Sequence, residues 1–205
     1  MFIAVSGNIG TGKTTLVKKL SEKLSYQAEF EAVADNPYLE DFYQDMKRWA
    51  FPLQVYFLGH RFRQGLKISE NKGGIVLDRT IYEDAHVFAY NLRTTGLMSE
   101  RDYHNYHLLY ETMQTHIKAP DVLVYLRGSV EQLLHRINQR SDQGDRAYES
   151  KIPASYLQDL NRCYERWIGQ YDHSAVITIN IDDTDLSESQ HFEKLVKDIQ
   201  RYKDA

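Results

Sequence analysis

Residues 2–6, Phe-Ile-Ala-Val-Ser, form an apolar run that ends at Gly7, and the next apolar positions, Leu16, Val17, Leu20 and Leu24, recur at intervals of three and four. A continuous run is the mark of a strand buried on both faces, and a period near 3.6 is the mark of one helix face. The opening therefore predicts a strand, a glycine-rich turn and a helix over 14–24. Three runs repeat the first: Gly-Ile-Val-Leu-Asp at 74–78, Asp-Val-Leu-Val-Tyr-Leu at 121–126 and Ala-Val-Ile-Thr-Ile-Asn-Ile at 175–181. A weaker strand is expected over 27–33. Helices are predicted over 52–68, 82–92, 100–117, 130–139, 156–168 and 192–202. Buried strands separated by long helices give an α/β fold: three layers, about five parallel strands, helices on both faces.

The polar stretch Arg-Ser-Asp-Gln-Gly-Asp-Arg-Ala-Tyr-Glu-Ser-Lys, 140–151, lies between two of these helices and is read as a mobile loop. No repeat or proline-rich linker interrupts the chain, and 205 residues with 42% hydrophobic content suit one well-buried core, so a single domain over 1–205 is expected. Lys and Arg number 25 against 29 Asp and Glu, a net charge of −4. Nothing in that balance draws the chain to nucleic acid or to an acidic membrane, so a bound anion must be held by local basic groups. No apolar stretch is long enough to span a bilayer. The single cysteine, Cys163, cannot form an intrachain disulfide, and the first residues lack the pattern of a secretory signal, so a cytoplasmic protein is expected.

Chemistry enters at the first turn. Gly7, four residues, then Gly12-Lys13-Thr14 match the phosphate-loop pattern in full, flanked by strand and helix as its mechanism requires. The backbone N–H groups from Gly7 through Asn8, Ile9, Gly10, Thr11 and Gly12 to Thr15 can curl around phosphate oxygens at a positive helix end. Lys13 reaches the terminal phosphates, and Thr14 offers a hydroxyl to a magnesium ion. ATP or GTP is thereby implied. A guanine reader of the form Asn-Lys-x-Asp is missing, since Asn71-Lys72 is followed by two glycines, and a large motor needs more chain. Small-molecule kinases remain.

Within that class, the segments GNIGTGKTT, FEAVADNPYLEDFY, FPLQVYFLGHRF, LDRTIYEDAHVFA and RINQRSDQGDRAYE together resemble the deoxynucleoside kinases, in particular the small bacterial members acting on deoxyadenosine, deoxyguanosine or deoxycytidine. The resemblance runs over nearly the whole chain and implies transfer of the γ-phosphate of ATP to the 5′-hydroxyl of a deoxynucleoside. It implies Glu31 as the base accepting the hydroxyl proton, although Ala32 stands where the family has proline. Asp78, at the carboxyl end of a parallel strand where open α/β sheets place ligands, would hold magnesium with Thr14. Arg79 would steady the 5′-oxygen, Glu31 and the transferring phosphate. Arg136, Arg140 and Arg146 resemble the arginines of a lid over the phosphates, with a short apparent insertion around Arg140.

The same resemblance assigns an acceptor pocket. Gln54 would meet the nucleobase edge, Arg61 and Asp84 would pair beside it, and Phe88 would stack on the base. The spacings 54 to 61 and 84 to 88 are whole helical turns, so each pair can share a face. Tyr43 and Glu149 match the pair holding the sugar 3′-hydroxyl. A homodimer is implied, with Tyr103, Tyr106 and Tyr110 on a helix face that packs against another helix. Residues 181–186 lie where relatives place a loop near the donor adenine. His104 and His107 could mimic zinc ligands, but no cluster completes a site. The alternatives are a nucleoside-monophosphate kinase of the thymidylate type, which needs basic residues around its acceptor, and a nucleotide-binding regulator, which has no use for Glu31 and Asp78.

Overall fold

A computed structural model describes residues 1–30, 36–142 and 152–203. The apolar runs form β1 (Phe2–Gly7), β3 (Ile75–Asp78), β4 (Val122–Arg127) and β5 (Ala175–Asn180), joined by a short β2 (Gln27–Glu29). All pair in parallel in the order β2-β3-β1-β4-β5, so the first strand lies in the middle. Ile3, Ala4, Val5, Val76, Val122, Leu123 and Val124 have no accessible surface, which is why these strands read as unbroken apolar runs. β5 reads similarly but lies on the sheet edge and is only half-buried.

Around the sheet lie α1 (Lys13–Leu24), α2 (Leu39–Gln44), α3 (Met46–Glu70), α4 (Ile81–Glu83), a π-helical turn over Asp84–Ala89, α5 (Tyr90–Thr94), α6 (Glu100–Gln114), α7 (Val130–Asp142), α8 (Ala154–Ile168) and α9 (Ser189–Gln200). Sequence periodicity misses α2. It also starts α3 six residues late, at Pro52, because proline usually marks a first turn; the true start is capped by the Asp45 carboxylate, which accepts from Arg48 N. The helix expected over 82–92 is broken by the wide π turn, which a 3.6 period cannot reveal.

Two consequences of topology position the site. From β1 the chain crosses to β2 and β3 on one side and only later to β4 and β5 on the other, so the crevice at the carboxyl end of β1 is a switch point. Register then sets Val5 beside Asp78 and Gly7 beside Leu126. The phosphate loop, the end of β3 and the end of β4 thus open at one edge.

Candidate active site

Gly7 leaves β1 with φ +147°, and a Cβ there would lie 2.6 Å from the Leu126 carbonyl oxygen, so no side chain fits. Gly12, at φ +90°, precedes α1 with no side-chain cap and no acidic residue in the first turn. The first-turn N–H groups of α1 therefore face the cleft as an anion site. Lys13 is buried, with Nζ donating to Asn8 O at 2.9 Å, and the Thr11 hydroxyl donates to the same carbonyl at 2.9 Å. The Asn8 side chain turns away, donating to Leu157 O at 2.9 Å and Asn161 Oδ1 at 2.7 Å, and so ties the loop to α8.

At the end of β3, Asp78 is buried and accepts from the Thr14 hydroxyl at 2.6 Å through Oδ2. Its Oδ1, also buried, has no hydrogen-bond partner among the described residues. Arg79 follows at φ +73°, a left-handed conformation that costs a non-glycine residue about 1–2 kcal/mol. Neighbours on three sides hold it there. Its N donates to Val5 O at 2.9 Å, and its carbonyl accepts from Arg61 Nη1 at 3.1 Å. Its guanidinium lies over the Phe88 ring, Cζ 4.6 Å from the centroid, with Nη1 2.7 Å from the Tyr164 hydroxyl and 3.4 Å from Glu83.

A cleft joins this edge to the helices above it. Of the predicted residues, it brings together Ile9, Gly10, Gly12, Lys13, Thr14 and Thr15 of the loop with Arg79, Arg140, Tyr43, Gln54, Asp84 and Phe88. The predicted pair Arg61 and Asp84 is present, Nε to Oδ2 at 2.6 Å with both side chains buried, and bridges α3 to the π turn. Gln54 is 3% exposed, and its Oε1 has no hydrogen-bond partner among the described residues. A buried carbonyl oxygen left facing a cleft is suited to a donor on a ligand. Phe88 thus supports the Arg79 guanidinium as well as lining the cleft, a role its spacing does not show.

On the far side of the loop, a second pocket lies between Arg136, Arg140, Lys19 and the 184–187 turn. Arg136 Nη1 donates to Thr11 O at 3.2 Å, which sets that arginine against the phosphate loop. The turn is fastened by Asp182, whose carboxylate accepts from Ser129 N at 2.9 Å, and by Lys19, which donates to Leu186 O at 3.0 Å. Glu31, Arg146 and Glu149 lie outside the described residues.

Sequence reasoning missed the apolar walls Phe42, Leu53, Phe57 and Tyr156, and it missed Glu83 and Tyr164. Phe57 was within reach, three residues from Gln54 on one helix face. Glu83 carried a signal as well: Thr80-x-x-Glu83 is a capping box, and both of its hydrogen bonds are made. Tyr164 is 81 residues from its partner Glu83 and has no local signature. On α6, Tyr106 and Tyr110 are buried within the chain, and His107 stacks against Tyr103 and Tyr110, so a packed aromatic row accounts for this histidine.

Comparison with known proteins agrees with this geometry. Residues 3–202 match the family model described as deoxynucleoside kinase. The chain is 41% identical over 200 residues to the deoxyadenosine/deoxycytidine kinase of Bacillus subtilis, covering 96% of this chain and 90% of that one. It is 34% identical to the deoxyguanosine kinase of the same organism, with 90% and 88% covered. Deoxyadenosine kinase from M. mycoides with bound dATP superposes with a TM-score of 0.85 at 30% identity, covering 98% of this chain and 100% of that one. With phosphate loop, Asp78-Arg79 edge and a buried Arg61–Asp84 pair around one cleft, the chain belongs to the deoxynucleoside kinase family, whose members phosphorylate deoxynucleosides with ATP.

Proposed function

We propose that the acceptor is a deoxynucleoside carrying an exocyclic amino group or guanine carbonyl, deoxyadenosine and deoxyguanosine first and deoxycytidine next, bound in the cleft with its 5′-hydroxyl toward Asp78 and Arg79. The observation that carries this is the presence of Gln54, Asp84 and the phosphate loop on one cavity wall system. Gln54 can donate and accept, so it fixes a base edge without choosing the base. The Arg61–Asp84 pair beside it adds donors and an acceptor, which suits amino-bearing bases better than thymine. Tyr43 lines the same cleft and, with Glu149, would hold the sugar 3′-hydroxyl.

Phosphoryl transfer needs the acceptor oxygen in line, cations around the γ-phosphate and a proton acceptor. Glu31 takes the 5′-hydroxyl proton as the oxygen bonds to the γ-phosphorus and the bond to the β-phosphate oxygen breaks, releasing ADP. Lys13, Arg79, Arg136 and the lid arginines Arg140 and Arg146 stabilise the charge on the transferring group. The Thr14 hydroxyl and the Asp78 carboxylate, 2.6 Å apart with a second carboxylate oxygen that has no partner among the described residues, fit a magnesium ion that would neutralise phosphate charge when bound. The pocket at 184–187 takes the donor base. The reading also includes one domain, a cytoplasmic setting and a homodimer, for which exposed Leu108 and Leu109 on α6 supply apolar surface. The test is Glu31→Gln: deoxynucleoside affinity within a few-fold of the parent and turnover slower by about a hundredfold or more. Unchanged turnover would remove Glu31 from the role of base.

A further inference from the structure

Glu83 has no accessible surface, and beside its capping contacts with Thr80 its carboxylate reaches the joint between the phosphate loop and Arg79. Its Oε2 accepts from Thr80 N at 2.9 Å. Its Oε1 lies 2.8 Å from the Tyr164 hydroxyl, 3.4 Å from Arg79 Nη1 and 3.5 Å from Gly7 N. Tyr164, equally buried, places the same hydroxyl 2.8 Å from Gly7 O and 2.7 Å from Arg79 Nη1. Burial holds the phenol well above its ordinary pKa of 10, so the hydroxyl keeps its proton and accepts from Arg79 while donating to Gly7 O or Glu83.

A carboxylate enclosed at this depth is expensive unless it is paired and fully hydrogen-bonded, and here each partner belongs to the site's edge. A helix cap alone does not require such burial, since the exposed Asp45 caps α3 and the exposed Ser99 caps α6. The same contacts bear on an arginine whose backbone is already in a strained conformation and whose guanidinium rests on Phe88. A fork supported on its face by a ring and at one nitrogen by a fixed carboxyl and hydroxyl has little rotamer freedom left.

We propose that Glu83 and Tyr164 are positioning residues for phosphoryl transfer: together they aim the Arg79 guanidinium into the cleft and lock it to Gly7, the first residue of the phosphate loop. The proposal rests on the catalytic reading of Arg79. Neither residue touches substrate; both act through the arginine. Because the hydroxyl and the carboxyl share Arg79 Nη1, loss of either loosens the same fork.

The test is a double-mutant cycle on the full chain, with folded fraction and melting temperature measured first and kinetics run well below melting. Glu83→Gln keeps an acceptor for Thr80 N but loses the charge facing Arg79. It is expected to lower kcat by about tenfold or more, with KM for ATP and deoxynucleoside within about threefold. Tyr164→Phe is expected to lower kcat in the same way and less steeply. In an Arg79→Ala background, which is itself slow, neither substitution is expected to slow turnover further. Glu83→Gln and Tyr164→Phe that melt lower but turn over at the parent rate would overturn the proposal, as would equal losses of kcat with and without Arg79. Should Glu83→Gln not fold, Tyr164→Phe carries the cycle by the same criteria. Arg79→Ala at full parental rate would instead defeat the catalytic reading of Arg79, and the proposal with it.

Discussion

Gln54 is a buried amide whose carbonyl oxygen has no partner among the described residues, a state that costs stability unless a ligand completes it. Gln54→Leu removes that cost together with the contact to the base. The expected result is a melting temperature equal to or above that of the parent, with kcat/KM for the deoxynucleoside reduced by about 10- to 100-fold, in keeping with one lost hydrogen bond in a closed site. A lower melting temperature and unchanged kinetics would assign Gln54 to the core. At this scale the sequence was informative wherever a motif or a helical spacing linked residues: Lys13, Thr14, Gln54, Asp84 and Phe88 all line the expected cleft. It was silent where a role depends on distant partners. Asn8 looks like one more loop residue, yet its side chain belongs to α8; Tyr164 looks like one of 15 tyrosines, yet it meets both Gly7 and Arg79.

Arg61 and Asp84 work at the scale of elements, because their pair fastens α3 to the π turn while Arg61 Nη1 also holds the carbonyls of Asp78 and Arg79, at 3.3 and 3.1 Å. Breaking a buried pair strands a charge and costs about 3–5 kcal/mol. Asp84→Asn is therefore expected to lower the melting temperature by about 10 °C, read by calorimetry, and to depress turnover by loosening the Arg79 backbone. The double variant Arg61→Met with Asp84→Leu is expected to regain much of the stability and little of the activity; activity restored along with stability would reduce the pair to packing. The order of the strands in the sheet, β2-β3-β1-β4-β5, has no signature in apolar runs, whereas their existence was legible because burial on both faces leaves such a run unbroken. The π turn was not, because the amino-acid pattern of an 84–89 segment fits an ordinary helix and only the packing of Asp84 on Arg61 and Phe88 on Arg79 shows the wider turn.

At the scale of the whole molecule, the half-buried His86 links stability to pH. His86 sits 3.0 Å from the Tyr110 hydroxyl, and burial, with His107, Arg166 and His173 nearby, lowers its pKa from 6.5 to about 4. The unfolded chain therefore binds a proton that the folded chain refuses, so stability falls as pH drops from about 6.5 toward 4, by no more than about 3 kcal/mol. Chemical denaturation of the parent and of His86→Gln across that window should show a shallower fall in the variant; parallel curves would contradict the assignment. The assembly of the cleft is also a property of the whole fold. The strand order β2-β3-β1-β4-β5 brings Gly7, Asp78 and the 184–187 turn to one edge although they are far apart in sequence. The phosphate loop marked that edge in the sequence, but the walls closing it come from α2, α3 and α8, whose apolar residues look like ordinary core. The reading that an uncharged sugar alcohol faces the loop is tested most directly by ADP release. Purified protein with magnesium and ATP is given deoxyadenosine, deoxyguanosine, deoxycytidine or thymidine, and separately each 5′-monophosphate. Rapid ADP formation with the two purine deoxynucleosides, less with deoxycytidine, least with thymidine and none with the monophosphates is expected; turnover confined to the monophosphates would contradict it.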